Sequence, residues 1–137
     1  MKINFEIVNI PKGKQKKYVT AYLEGELEIY VGNNLYFNQE GILLIEFAIF
    51  IARWLSLLEY DTTADFVYHS MDNDEPILSF KLIEFDYYQI YSPWENMEIS
   101  EYILKSNIYS EFKKYLSELD RDLKLKTGIK LNDLLIT

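Results

Sequence analysis

Carboxylates are the most abundant source of chemistry in this sequence, with 22 Asp and Glu among 137 residues. Glycoside hydrolysis needs two carboxyl groups facing each other across a bond, one as acid and one as nucleophile or base. Glu84, Asp86, Glu95 and Glu98 could supply such a pair, but a chain this acidic offers many pairs and their spacing selects none. Asp72-Asn73-Asp74 sets three oxygen side chains together, as a calcium loop does at its start. Its sixth position is Ile77 where that loop needs glycine, and its twelfth is Ile83 where it needs a bidentate glutamate, so the regular site is absent. A nucleophilic triad needs a base beside its nucleophile. The one histidine, His69, stands between Tyr68 and Ser70 without nucleophile-elbow glycines and reads as structural. There is no cysteine, which excludes disulfides, thiol catalysis and thiolate metal sites. Phosphate-cradling glycine motifs are also missing. Gly13 is isolated in Pro11-Lys12-Gly13-Lys14, and Lys12, Lys14, Lys16 and Lys17 read as a solvated loop that could at most touch an anion.

With no reaction named by a motif, surface chemistry becomes the informative property. The net charge is −8, which argues against sequence-independent nucleic-acid binding and against anionic membrane surfaces. That charge is not spread evenly. Residues 1–40 balance five Lys against five Glu, and residues 101–137 carry one excess positive charge. Between them, residues 41–100 set eleven Asp and Glu against Arg53 and Lys81 alone. Aromatic residues make up 16% of the chain, with 12 Tyr, 8 Phe and 2 Trp. Tyrosine and tryptophan dominate binding hot spots, and an acidic field speeds association with a basic partner. Three stretches combine both traits: the alternating Tyr18, Tyr22, Tyr30 and Glu24, Glu26, Glu28; the segment Asp72–Glu75; and Tyr87-Tyr88 through Trp94-Glu95. The residues expected to contact a basic protein are Asp72, Asp74, Glu75, Tyr87, Tyr88, Trp94 and Glu95. No cofactor or metal ion is expected.

The elements that position these residues follow from hydrophobic period. Ile3, Phe5 and Ile7 alternate with polar residues, which predicts a strand. From Lys17 to Val31 a period of two holds its phase, with Val19, Ala21, Leu23, Leu27, Ile29 and Val31 on one face and Gly25 marking a bulge or close approach. Gly32-Asn33-Asn34 reads as a turn into a short strand over Leu35-Tyr36-Phe37. A buried helix is expected over about 39–59, capped by Asn38 with Glu40 in its first turn. Its apolar run, Ile42 to Leu58, is too short and too charged for a membrane span, which needs about 20 apolar residues. Glu46 and Arg53, seven apart, could form a buried ion pair. Phe66–Met71 reads as a strand, followed by a polar loop. Within Ile77–Tyr91 the apolar positions switch from even to odd, which signals either one bulged strand or a turn near Glu84-Phe85-Asp86. Ile108, Phe112, Tyr115 or Leu116, Leu119 and Leu123 place an amphipathic helix over about 107–126, capped by Ser106 or Asn107 and ended by Gly128. A short element over Ile129–Ile136 completes a single α+β domain. The expected architecture is an antiparallel sheet of about five or six strands with both helices on one side.

In size, acidity, lack of cysteine and its strand–Ser92-Pro93-Trp94-Glu95–helix layout, the chain resembles the small acidic bacterial immunity proteins of polymorphic toxin systems. The resemblance implies stoichiometric masking of a cognate, basic toxin domain. The opening Met1-Lys2-Ile3-Asn4-Phe5-Glu6 lacks the apolar run of an export signal, so a cytoplasmic location is expected. Two other functions stay open: an enzyme with a carboxylate or divalent-metal site, and a homo-oligomeric module, such as a homodimer, built on the Tyr-rich strand face.

Overall fold

A computed structural model describes residues 1–70 and 75–135. Among these residues seven strands form two antiparallel sheets, and two main helices lie between them. The first sheet is β1 (Lys2–Asn9), β2 (Glu24–Val31) and β3 (Asn34–Leu43), in that order. The second is β4 (Phe66–Tyr68), β5 (Leu78–Glu84), β6 (Tyr87–Tyr91) and β7 (Ile103–Leu104). The α+β class is as the sequence predicts, but the expected single sheet of five or six strands is two separate sheets. The outer edge of β3 is covered in part. The Asn96 N–H donates to the Tyr36 carbonyl at 2.8 Å and the Asn96 side-chain amide donates to the Leu35 carbonyl at 3.1 Å. A loop therefore occupies the edge that a fourth strand would have used.

Helix α2 (Leu44–Leu57) follows β3, and α3 (Lys105–Thr127) follows β7. Both bury their apolar stripes against the inner faces of the two sheets. Phe47 of α2 is the hub: its ring lies 5.1 Å from both Tyr68 and Tyr115, and 6.2 Å from Phe66 and Phe112. Tyr115 in turn meets Phe5 of β1 edge-on at 5.2 Å, and Phe112 packs on Phe80 and Trp54. Tilted and edge-on contacts of this kind add to area burial, because ring edges and faces carry opposite partial charge. The polar ends of these rings are matched. The Tyr115 hydroxyl donates to the Leu44 carbonyl, Tyr88 and Trp54 donate to the Ala64 carbonyl, and Tyr68 donates to Glu46.

Several boundaries differ from the sequence expectation. Residues 13–18 form a turn of 3-10 helix and Val19–Tyr22 a turn of α-helix, α1, rather than the start of a long strand. Val19 and Leu23 are buried as expected, but positions four apart share a face in a helix as well as in a strand. Ala21, which only the strand would bury, is exposed. The central helix begins at Leu44, not near Asn38. Asn38 pairs with Glu28 in the β2–β3 hairpin and Glu40 lies in the same strand, so neither caps a helix. Arg53 is exposed with its guanidinium 5.8 Å over the Phe50 ring, so it does not bury an ion pair with Glu46. On α3 it is Tyr115, not Leu116, that takes the fully buried position. Its N-cap is Leu104, without a side-chain bond, in place of Ser106 or Asn107. Gly128 ends the helix as expected, at φ 74 with its N–H on the Lys124 carbonyl. The tail holds one further turn, α4 (Asn132–Leu135). No helix among the described residues is long and apolar enough to cross a membrane.

The phase switch within 77–91 has both of the causes left open by the sequence. The register between β5 and β6 shifts between Leu82 and Glu84, and Phe85-Asp86 then turns the chain into β6. Phe85 has φ 47, in the left-handed region that costs a bulky residue about 1–3 kcal/mol. Gly25 is needed for a different reason. A Cβ there would come within 2.2 Å of the Glu6 carbonyl oxygen and 2.5 Å of Leu44 Cδ1, so β1, β2 and α2 meet too closely for any side chain.

Candidate functional site

Strand alternation on β6 decides which of its tyrosines can meet a partner. Tyr88 and Ile90 point into the core, while Tyr87, Gln89 and Tyr91 share the outer face. Tyr88 is fully buried, with its hydroxyl 2.9 Å from the Ala64 carbonyl. Burial, helped by Asp65, Asp86 and Asp61, pushes that hydroxyl up to about 12. The expectation that Tyr88 contacts a partner is therefore wrong: adjacent tyrosines on a strand face opposite ways, and Tyr88 is a core residue.

The segment after β6 is held tightly. The buried Ser92 hydroxyl donates to the Ile77 carbonyl at 2.7 Å and accepts the Trp94 N–H at 3.0 Å. Trp94 then lies against Phe37, with ring centroids 6.5 Å apart, and keeps about a third of its surface exposed. Glu95 accepts a hydrogen bond from the Tyr36 hydroxyl at 2.8 Å, and the Gln89 side chain donates to the Ile99 carbonyl at 2.7 Å. Burial first, then the bond to Glu95, holds the Tyr36 hydroxyl well above its ordinary range. These bonds fix residues 92–99 across the end of the second sheet.

Two adjoining recesses result. One is lined by Glu75, Pro76, Ser79, Tyr91, Pro93 and Glu95. The other is lined by Gln89, Tyr91, Glu95, Glu98, Ile99 and Ser100. Tyr91 and Glu95 form their common wall. Three carboxylates thus surround an exposed tyrosine and two prolines, and neither recess is lined by a lysine or arginine among the described residues. Such a surface suits an incoming cationic side chain: its aliphatic stem lies on proline and tyrosine, and its charged end meets the carboxylates.

Of the residues named from sequence, the structure brings Glu75 and Glu95 together and sets Trp94 beside them. Tyr87 shares the outer face with Tyr91 but stands at the other end of β6. Asp72 and Asp74 lie outside the described residues. Tyr91 and Glu98 were not among the residues expected to bind, although Tyr87 was. A strict period of two from Tyr87 leads to Tyr91, so that signal was present in the sequence. Nothing in the sequence shows that the loop folds back to bring Glu98 beside Tyr91.

His69 follows β4 and is half-buried. Among the described residues, no group of three or more His, Asp or Glu is arranged to hold a metal ion. The chain belongs to the family described as a domain of unknown function (DUF7878), whose model matches residues 2–125. No curated protein and no solved structure matches the chain.

Proposed function

We propose that this chain is a non-catalytic protein-binding domain that holds a basic partner on the outer face of its second sheet, as an immunity protein does when it neutralises a toxin domain. The observation that carries this reading is the paired recess, where Glu75, Glu95 and Glu98 surround Tyr91 without a lysine or arginine in the lining. Carboxylates without a counter-charge on an ordered aromatic surface have no ion pair to give up when a basic partner arrives, and their field speeds its approach. The bonds that fix residues 92–99 add pre-organisation, which lowers the entropy cost of docking.

The test is co-purification with the products of neighbouring reading frames, followed by titration of the recovered protein. Glu75→Lys combined with Glu98→Lys is the informative variant, because both side chains are exposed and Glu95 is left to accept the Tyr36 hydroxyl. Binding is expected to weaken by roughly 10- to 100-fold with a shallower salt dependence. Recovery of no partner, or an affinity changed by less than two-fold in a folded variant, would overturn the reading.

A further inference from the structure

The tip of the β5–β6 hairpin holds a residue that its own fold disfavours. Glu84 and Tyr87 are register partners, so Phe85 and Asp86 form a two-residue turn. Turns of this length need positive φ at the first central position, where glycine, asparagine or aspartate is the usual occupant. Phe85 occupies it instead, and is the only non-glycine residue with positive φ among those described. Its ring contributes little to the core, because the residue is 88% exposed. Backbone geometry and solvation both oppose an aromatic side chain here, so its presence points to a contact outside the free chain.

The surroundings show what kind of contact. Ile83, Tyr87 and Leu104 are each about 40% exposed and extend the apolar tip. Glu84 and Asp86 flank the ring in sequence, and both are exposed. Asp61 and Asp65 are exposed at the same end of the molecule, where their charges and that of Asp86 act on the Tyr88 hydroxyl. Among the described residues, the cation in direct contact is half-buried Lys105, whose ammonium lies 3.4 Å from Asp86 and also donates to the Thr62 carbonyl. Its backbone N–H donates to the Asp86 carbonyl at 2.7 Å, so Lys105 holds Asp86 by both its side chain and its backbone. A turn held in this way presents the Phe85 backbone in a fixed place, which lowers the cost of using its side chain as an anchor. The tip also continues into the surface already described, because Tyr87 and Tyr91 share one face over about 13 Å of strand at roughly 3.3 Å per residue. A single partner covering roughly 800 Å² would reach both.

We infer that Phe85 is the anchor of this docking surface: its ring enters an apolar pocket on the basic protein partner, and lysine or arginine side chains at the rim of that pocket meet Glu84 and Asp86. The inference rests on the partner-binding reading above and adds the residue that sets specificity. A second copy of this chain is the poorer occupant, since a two-fold contact at the tip would bring Asp61, Asp65, Glu84 and Asp86 against their own equivalents.

A photo-crosslinking side chain, p-benzoylphenylalanine, installed in place of Phe85 in the full chain tests this directly in the cells that carry the gene. The expected result is one crosslinked protein, with the attached peptide apolar and bordered by lysine or arginine. That protein is then purified without the crosslink and titrated with wild type, Phe85→Gly and the Glu75→Lys/Glu98→Lys variant. Phe85→Gly should melt at the same or a higher temperature, because glycine accepts the positive φ, while binding at least ten-fold more weakly. No crosslink, a crosslink to a second copy, or an affinity within two-fold of wild type for Phe85→Gly would overturn the proposal. If the recess variant alone loses binding, the partner reading stands and the anchor falls; if neither variant does, both fall.

Discussion

The outer face of the first sheet carries Glu24, Glu26, Glu28 and Tyr30 on β2, with Glu6 of β1 directly opposite Glu26. The outer face of the second carries Val67, Ser79, Lys81, Tyr87 and Tyr91. Both sheets are antiparallel and both bury their inner faces on the same two helices. The difference is therefore confined to what each shows to solvent. Glu24, Glu26 and Glu28 are each partly buried among their neighbours, and like charges repel across the strands where Glu26 faces Glu6. A face of half-exposed tyrosines with carboxylates at its edge has apolar area left to bury, which is what a docking surface needs. Acidity alone does not single out one face of this protein; acidity beside ordered aromatic area does, and that is the face proposed to bind.

The largest test of this comparison concerns the core that the sheets share. Phe47→Ala should cost about 3–5 kcal/mol, because it removes the ring that joins Phe66 and Tyr68 of the second sheet to Tyr115, which packs on Phe5 of the first. Hydrogen exchange at Ile29 and Phe80 should accelerate together. Loss of protection in one sheet only would mean that they do not share a cooperative unit.

An intermediate effect is expected at alkaline pH. Burial is the main reason that the Tyr36, Tyr68, Tyr88 and Tyr115 hydroxyls sit above the ordinary value of 10.0. An unfolded tyrosine loses its proton near that value, whereas these hold theirs. The folded state then binds more protons, and stability falls as pH rises. Their stabilisation should be complete below pH 10.0 and decline through the range in which Tyr88 titrates, at about 12. Tyr30, on the outer face of the first sheet, is also raised, but first by the charge of Glu28 and only then by desolvation. Added salt should therefore move Tyr30 more than the four buried hydroxyls, whose shifts come first from burial, as read from tyrosinate absorbance. A uniform salt response would contradict the distinction between the faces.

The smallest effect is expected from Glu26→Lys, which places opposite charges across the Glu6 pairing. It should stabilise the chain by about 0.2–1 kcal/mol. Partner affinity should stay within two-fold of wild type, and a larger loss would move the docking surface to the first sheet.

Much of this arrangement was legible in the residues, and the gaps have identifiable causes. The apolar stripe of α3, its end at Gly128 and the alternation of β2 rest on local period, which tertiary contacts did not override. The start of α2 was misplaced because Ile42 to Leu58 is one apolar run in which a strand end and a helix look alike. The helical turns before β2 were missed because Val19 and Leu23 satisfy both periods. For the surface, a period of two is enough to separate the outward Tyr87 from the buried Tyr88, yet both were expected to bind. The pairing of Glu75 with Glu95, and of Glu98 with Tyr91, depends on how the 92–99 loop returns across the sheet. That return is fixed by long-range bonds such as Asn96 to Tyr36, which leave no periodic trace in the sequence.

Those same bonds bear on how the protein behaves at high concentration. An open strand edge is a template on which other chains can stack, and β3 is ten residues long. The Asn96 backbone and side chain occupy its Tyr36 and Leu35 carbonyls, and the carboxylate of Glu111 receives the Ile3 N–H of β1 at 3.3 Å. Each outer strand of the first sheet is thus blunted by a polar group from elsewhere in the fold. The loop that shapes the recesses thus also covers part of a strand edge, so opening it is expected to favour aggregation as well as weaken the proposed docking site.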